Sequence, residues 1–203
     1  MNATTPIGKA RAKGSPRSHN RIQPLLDAAA KHFADKGFRE TTIRDISKSI
    51  GMLPGSVYYH FPSKERLLLA VYETGVIRVT ARVEQASMMA RTPWDRLERA
   101  ITAHLNTVLD NSDYARVIIR VWPDQVPQLS QKLTRLRDRY ESLFVGLISD
   151  LPVASNVNRS MFRLMLLGAM NWSQVWYRPS VDTPNKIAKE FLKMIRYATD
   201  SSA

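Results

Sequence analysis

Residues 41–66 contain two short helical patterns separated by a glycine turn, and this segment constrains the fold more than any other. Thr42 begins a capping box, and the isoleucines after it recur every three or four residues, so the first pattern predicts an amphipathic helix. Gly51 provides the left-handed residue that ends this helix, and Pro54 or Gly55 opens a second helix of about seven residues. Two helices joined in this way predict a helix-turn-helix unit that reads DNA.

The second helix of this pair carries the polar groups that suit DNA. Its apolar side chains, Val57 and Phe61, are four residues apart and are expected to pack on the isoleucines of the first helix. Hydroxyl groups suit phosphate oxygens and base edges, and a tyrosine ring suits a thymine methyl group. For the tyrosines the alternative is a place in the core as partly buried aromatic side chains. The side chains expected to face outward are Ser56, Tyr58, Tyr59 and His60.

A long helix is predicted to begin after Ser63, with Lys64 in its first turn. A lysine at this position opposes the helix dipole, whose positive end lies at the N terminus. The position is explained if Lys64 and the free N–H groups of the turn bind one phosphate together. The alternative is an ordinary solvated lysine.

One segment closely resembles the N-terminal domain of TetR-type transcriptional repressors, and it reads ADKGFRETTIRDISKSIGMLPGSVYYHFPSKERLL. It covers about a sixth of the chain, and its clear departure from the family pattern is Ser47, where the family usually has alanine. The resemblance implies a three-helix DNA-binding domain and the positions of its DNA contacts, to which we add Arg44. The predicted DNA-binding residues are Thr42, Arg44, Ser56, Tyr58, Tyr59, His60 and Lys64.

The charge of the chain favours a polyanionic partner. The formal net charge is +12 over 203 residues, and the first 66 residues carry 12 basic but only 5 acidic side chains. No apolar run approaches the roughly 18 residues that a membrane-spanning helix needs, and the N terminus lacks the apolar segment of a signal peptide. We therefore expect a cytoplasmic protein with no membrane partner. The absence of cysteine excludes disulfides and thiolate metal sites.

The chain is expected to be all-α and to divide into three parts. Residues 1–20 are basic, without acids, and rich in Gly, Pro and Ser, which predicts a flexible arm that either follows DNA phosphates or only aids solubility. Residues 21–66 are predicted to form the helix-turn-helix domain, and residues 67–203 a helical effector-binding and dimerisation domain. Helices are predicted near 21–36, 63–89, 94–110, 113–122, 127–149, 159–178 and 184–198.

The second domain is rich in large aromatic and methionine side chains, which suit either an adaptable ligand cavity or a plain core. The resemblance favours a cavity, because family members couple a ligand pocket in this domain to the spacing of two DNA heads. The ending NW-x-x-x-WYRP is similar to a branch that regulates fatty-acid and steroid-ring breakdown, so the expected effector is a small apolar molecule or an acyl-CoA. The predicted pocket residues are Met88, Trp94, Tyr114, Trp122, Met161, Met165, Trp172 and Trp176. Candidates for the phosphates of such a ligand are Arg116, Arg120, Arg159, Arg163 and Arg178.

The helix predicted over 159–178 is apolar on two sides, which indicates two neighbours. One neighbour is its own domain, and the other is expected to be the same helix of a second subunit, with the helix near 184–198 completing a four-helix interface.

Catalysis, a cofactor and a metal are not expected, since none of the 4 histidines lies in a recognised catalytic or metal-binding motif. Two functions fit the sequence. One is a repressor that binds a palindromic DNA operator as a homodimer and is released by its effector. The other is a constitutive DNA-binding protein without a sensor.

Overall fold

The computed structural model describes residues 21–200, and the predicted basic arm of residues 1–20 therefore lies outside the described residues. Nine α-helices and two short 3-10 turns, with no strand, make up the described range, which confirms the all-α prediction. None of these helices is long and apolar enough to cross a membrane. The helices are α1 (Ile22–Lys36), α2 (Ile43–Ser49), α3 (Pro54–His60), α4 (Lys64–Met88), α5 (Pro93–Leu109), α6 (Asp113–Arg120), α7 (Ser130–Ser149), α8 (Arg159–Trp176) and α9 (Pro184–Asp200).

The first three helices form the predicted helix-turn-helix domain. The Thr42 hydroxyl accepts a hydrogen bond from the Asp45 N–H at 3.1 Å, while the Asp45 carboxylate accepts one from the Thr42 N–H at 3.2 Å. This is the predicted capping box at the start of α2. Gly51 follows α2 with φ at 61°, in the left-handed region, and Pro54 is the first residue of α3. Ile46 of α2 and Val57 of α3 are fully buried, and both belong to one apolar core that also contains side chains of α1.

The long helix α4 belongs to two apolar cores. Its first half, through Leu68 and Tyr72, packs with the DNA-binding domain and with α6. Its second half, through Val79 and Val83, packs with α5, α7, α8 and α9. Helix α4 therefore connects the packing of the DNA-binding domain with that of the second domain.

The segment between α6 and α7 differs from the prediction. A helix over 127–149 was expected, but Pro123 and Pro127 each begin a 3-10 turn, and α7 starts only at Ser130. Proline lacks a backbone N–H and its ring hinders the preceding turn, so the chain makes short turns here before the regular helix begins.

Candidate functional site

Helix α3 presents its polar side chains to solvent. Tyr58 and Tyr59 are 51% and 79% exposed, and Ser56 is also exposed. His60 is half-buried, with its ring 5.2 Å from that of Tyr59 in an edge-on contact. Between them Val57 is fully buried and anchors the helix. The structure therefore excludes the core alternative for both tyrosines.

The start of α2 adds a second exposed edge beside α3. Arg44 is exposed and makes no ion pair with any described residue. Thr42 is also exposed, but its hydroxyl donates to the Asp45 carboxylate at 2.8 Å as well as accepting the Asp45 N–H. The Thr42 side chain is thus engaged in holding the helix end, whereas the Arg44 guanidinium is available to a phosphate.

Lys64 has a different environment from the one that its sequence position suggests. Its ammonium donates to the carbonyl oxygens of Phe38, Arg39 and Thr41 at 2.8, 3.2 and 2.9 Å, and lies 4.5 Å from the centre of the Phe38 ring. An ammonium has three donors, so this arrangement leaves none for a phosphate. Instead, Lys64 joins the turn between α1 and α2 to the start of α4.

A cavity of about 200 Å³ lies in the second domain, enclosed by α4, α5, α6, α7 and α8. Its walls are mostly apolar and include Val79, Val108 and Ile118. The exposed arginines Arg78 and Arg82 line its solvent side. An apolar space beside exposed cations suits a ligand with an apolar body and an anionic end.

Of the predicted pocket residues, Tyr114 and Trp122 line this cavity and the others do not. Met88 is 81% exposed near the end of α4, and Trp94 lies on another face, under the Arg196 guanidinium at 5.3 Å. The remaining side chains are exposed along α8, whose inner side is formed by Phe162, Leu166 and Met170 instead. These outward residues are Met161, Met165, Trp172 and Trp176.

A buried polar pair on the cavity wall was missed from the sequence. The His104 Nδ1 atom lies 2.6 Å from the Tyr140 hydroxyl, and burial lowers the pKa of His104 to about 4, so the ring is neutral near pH 7. Its Nε2 atom is buried without a hydrogen-bond partner among the described residues. The Asn171 side chain also lines the cavity and acts to raise the pKa of His104, against the larger effect of burial. It does not complete a hydrogen bond to Nε2.

An unsatisfied buried polar atom costs about 1–3 kcal/mol, which a ligand group bonded to His104 would recover. The signal in the sequence was a histidine on an otherwise apolar stripe of α5, between Ile101 and Val108. A satisfied core histidine gives the same pattern, so the cavity could not be inferred from it.

The cavity wall is hydrogen-bonded directly to the DNA-binding domain. Tyr114 lines the cavity, and its hydroxyl donates to the Asp27 carboxylate of α1 at 2.8 Å. The Gln23 amide donates to the same hydroxyl at 3.2 Å, and the Arg78 guanidinium lies 4.2 Å from the centre of the Tyr114 ring. Burial and the Asp27 carboxylate raise the pKa of Tyr114 to about 12, so the hydroxyl keeps its proton near pH 7.

Three of the five arginines considered for ligand phosphates are instead engaged with helix ends. Arg116 donates to the Ala34 carbonyl at 3.1 Å and to the Asp35 carboxylate at 2.7 Å, and Arg120 donates to the same carbonyl at 3.1 Å. Arg159 similarly donates to two carbonyls at the end of α7. Cations at helix C termini are favourable to the helix dipole. Arg116 and Arg120 attach α6 to the end of α1, whereas Arg159 attaches α8 to the end of α7.

Helix α8 has an outer apolar face that no described residue covers. Met165 is 58% exposed, Trp172 is 65% exposed, and Gly168 lies exposed between them. The inner face is buried through Phe162 and Leu166, so the helix has the two apolar sides that its sequence predicts. Contiguous exposed apolar surface of this kind is typical of sites where a protein, a ligand or a membrane binds. The outer apolar face consists of Met161, Leu164, Met165, Gly168, Trp172 and Val175.

Two family models match the chain. A model described as bacterial regulatory proteins, tetR family, matches residues 25–71. A model described as the C-terminal domain of tetracyclin repressor-like proteins matches residues 90–198, which is more than half of the chain.

Individual proteins match over most of their length. The HTH-type transcriptional repressor KstR2 of Rhodococcus jostii (strain RHA1) is 27% identical over 183 residues, which cover 84% of this chain and 87% of that protein. The crystal structure of superantigen PfiT has a TM-score of 0.76 at 28% identity, over 85% of this chain and 94% of that one. The crystal structure of AibR in complex with isovaleryl coenzyme A and operator DNA has a TM-score of 0.73 at 20% identity. The match covers 86% of this chain and 97% of that one, and it is a likeness in fold.

Proposed function

The chain belongs to the TetR family of bacterial transcriptional regulators, and on that premise we propose that it binds a roughly palindromic operator as a homodimer. It is a transcriptional repressor and not an enzyme. In our proposal a small, largely apolar effector, with acyl-CoA thioesters as the first candidates, releases it from DNA in the cytoplasm. The main support is one arrangement: an apolar cavity whose wall residue Tyr114 donates a hydrogen bond to Asp27 of the DNA-binding domain.

For the DNA side we propose that α3 enters the major groove. The exposed Ser56, Tyr58 and Tyr59 would meet bases and phosphates, with His60 and Arg44 at the edges. Two such helices in a dimer would then lie about 34–36 Å apart, one turn of the duplex.

Removal of either tyrosine is expected to weaken operator binding more than binding to random DNA. Tyr58→Ala or Tyr59→Ala should cost about 1–3 kcal/mol on an operator selected from a random duplex pool, because a base contact is lost. Binding to random duplex should change less, since phosphate contacts dominate there. Fluorescence anisotropy at fixed salt measures both affinities. Equal losses on both duplexes would reject base recognition by these side chains.

Lys64→Met provides a contrasting variant. It keeps an unbranched apolar side chain but removes the ammonium from three carbonyl groups and from the Phe38 ring, so it should lower the unfolding free energy by about 1–3 kcal/mol. The salt dependence of DNA binding should change little, because the ammonium is already engaged. A stable variant whose salt slope falls by about one would restore a direct phosphate contact for Lys64.

For the effector we propose that an acyl group occupies the cavity. The apolar walls suit a hydrocarbon, and the neutral His104 offers one hydrogen bond to a ligand oxygen or hydroxyl. A coenzyme A group would extend outward, where Arg78 and Arg82 are exposed to meet its phosphates. AibR, a neighbour in fold, is described with isovaleryl coenzyme A and operator DNA, which adds to the reasons for testing this class first.

A panel of acyl-CoA thioesters and their free acids tests the sensor. At a concentration about 100 times its dissociation constant, the effector should stabilise the protein by about 2.7 kcal/mol and raise its melting temperature. The same compound should reduce operator binding. A free acid that acts as well as its thioester would reject the coenzyme A part. No stabilisation and no release by any apolar or thioester compound would favour the alternative, a constitutive DNA-binding protein.

For the assembly we propose that the outer apolar face of α8 packs against the same face of a second subunit. Gly168 lies near the middle of this face and allows two helix backbones to approach closely. Met194 of α9 is 59% exposed and is expected to join the contact, giving a four-helix interface.

A further inference from the structure

We propose that α7 extends the DNA-binding surface, and that a basic groove between α4 and α7 binds the phosphate backbone of the duplex held by α3. The groove is lined by the end of α3, the first turns of α4 and the first half of α7. The inference needs only that the protein binds duplex DNA, and not that it recognises an operator or an effector. The basic groove is defined by Arg66, Lys132, Arg135 and Arg139.

The positive charge of the basic groove is not neutralised within the described part of the protein. None of its basic side chains forms an ion pair with a described acidic residue, and the acid that lines the groove is Glu73. Elsewhere arginines are paired, as in Arg96 with Asp150 at 3.1 Å and Arg99 with Asp95 at 2.9 Å. Exposed like charges held together without partners raise the local potential and attract polyanions.

The spacing of the basic residues places them together on α7. Lys132, Arg135 and Arg139 are three and four residues apart, so they share one side of the helix, and all are exposed. Between them Leu133 is fully buried, in the same core as α2, α3 and the first half of α4. The basic side of α7 is therefore held in a fixed position relative to the DNA-binding domain.

The position of the basic groove favours DNA over an acidic protein. His60, the last residue of α3, and Pro62 just after it line the groove, so this rim adjoins the end of α3. A duplex placed on α3 brings its backbone toward this rim, and long arginine and lysine side chains can then reach phosphates. The same helix α7 also supplies Tyr140 to the cavity, so a ligand there would contact the helix that carries these cations.

The double variant Arg135→Gln/Arg139→Gln tests the inference. Affinity for a random duplex is measured by anisotropy over a range of salt concentrations, and the slope of log K against log salt is compared with the wild type. The slope should fall by roughly 0.9 for each lost phosphate contact, close to two for this variant, with affinity about tenfold lower at moderate salt. Arg135→Lys/Arg139→Lys keeps the charges and should restore most of the slope.

The matched control is Lys189→Gln/Lys193→Gln, which removes two exposed charges from α9. Its slope should stay near that of the wild type. If both double variants lower the slope equally, only the net charge matters and the basic groove does not contact DNA. An unchanged slope in the Arg135/Arg139 variant, with an unchanged melting temperature, also overturns the proposal. Selection of an operator plays no part in this measurement, so failure of operator recognition would be seen separately.

Discussion

Met165→Glu/Trp172→Glu is expected to convert the protein to a monomer and to reduce operator affinity by about 100-fold or more. Both side chains are more than half exposed on the outer apolar face of α8, where each glutamate would place a charge inside the proposed subunit interface. A monomer binds only one half-site of the operator. It therefore loses the gain in affinity that a dimer obtains when its second DNA-binding domain binds the other half-site intramolecularly. Sedimentation measures the mass, and anisotropy with the selected operator measures the affinity.

Met88→Glu/Met89→Glu is the matched control. It adds the same two charges to methionines that are 81% and 75% exposed at the end of α4, on a different helix from the α8 face. It should remain dimeric and lose little affinity, which separates loss of the interface from the change in net charge. A dimeric Met165/Trp172 variant would show that another surface joins the subunits. A monomeric variant with full operator affinity would show that one head is sufficient.

Tyr114→Phe is expected to bind the effector normally but to release the operator poorly. The ring still lines the cavity, whereas the hydrogen bonds with Asp27 and Gln23 of α1 are lost. Coupling between sites is typically about 1–3 kcal/mol, so loss of this connection should reduce the effector-induced drop in operator affinity by roughly fivefold or more. Operator affinity is measured with and without the thioester that gives the largest thermal shift, and calorimetry gives the effector affinity.

Tyr140→Phe is the matched control for this experiment. It removes the hydroxyl that contacts His104 at 2.6 Å, on the cavity wall between α5 and α7. Effector binding should weaken, while the release caused by a saturating effector should stay near that of the wild type. Because coupling is reciprocal, operator DNA should also weaken the effector less in Tyr114→Phe than in the wild type. A Tyr114→Phe protein that responds as fully as the wild type would contradict a role for this contact.

The DNA-binding helices could be predicted because their signals are local. The capping box at Thr42, the left-handed Gly51 and the proline at the start of α3 each act within three or four residues. The periodicity of a seven-residue helix then directs Tyr58 and Tyr59 outward once Val57 is buried. No distant contact is needed for these features, and the structure agrees with them closely.

The roles of Lys64 and of the arginines depended on distant contacts. The carbonyls of Phe38 and Thr41 that bind the Lys64 ammonium are more than twenty residues away, and Arg116 meets the end of α1 across an even longer separation. Sequence spacing within one helix carries no record of these partners. From the sequence, these cations were expected to bind phosphate groups. In the structure, their partners include backbone carbonyl groups from distant parts of the chain.

By itself the sequence determined the helical class, the two helices and the turn of the helix-turn-helix unit, and the two apolar sides of α8. Only the tertiary structure decided that Trp172 faces outward, that the neutral His104 lines a cavity, and that Tyr114 joins that cavity to Asp27. The physical reason is that apolar periodicity reports which side of a helix avoids water. Which neighbour covers that side, whether a core, a ligand or a second subunit, depends on helices far away along the chain.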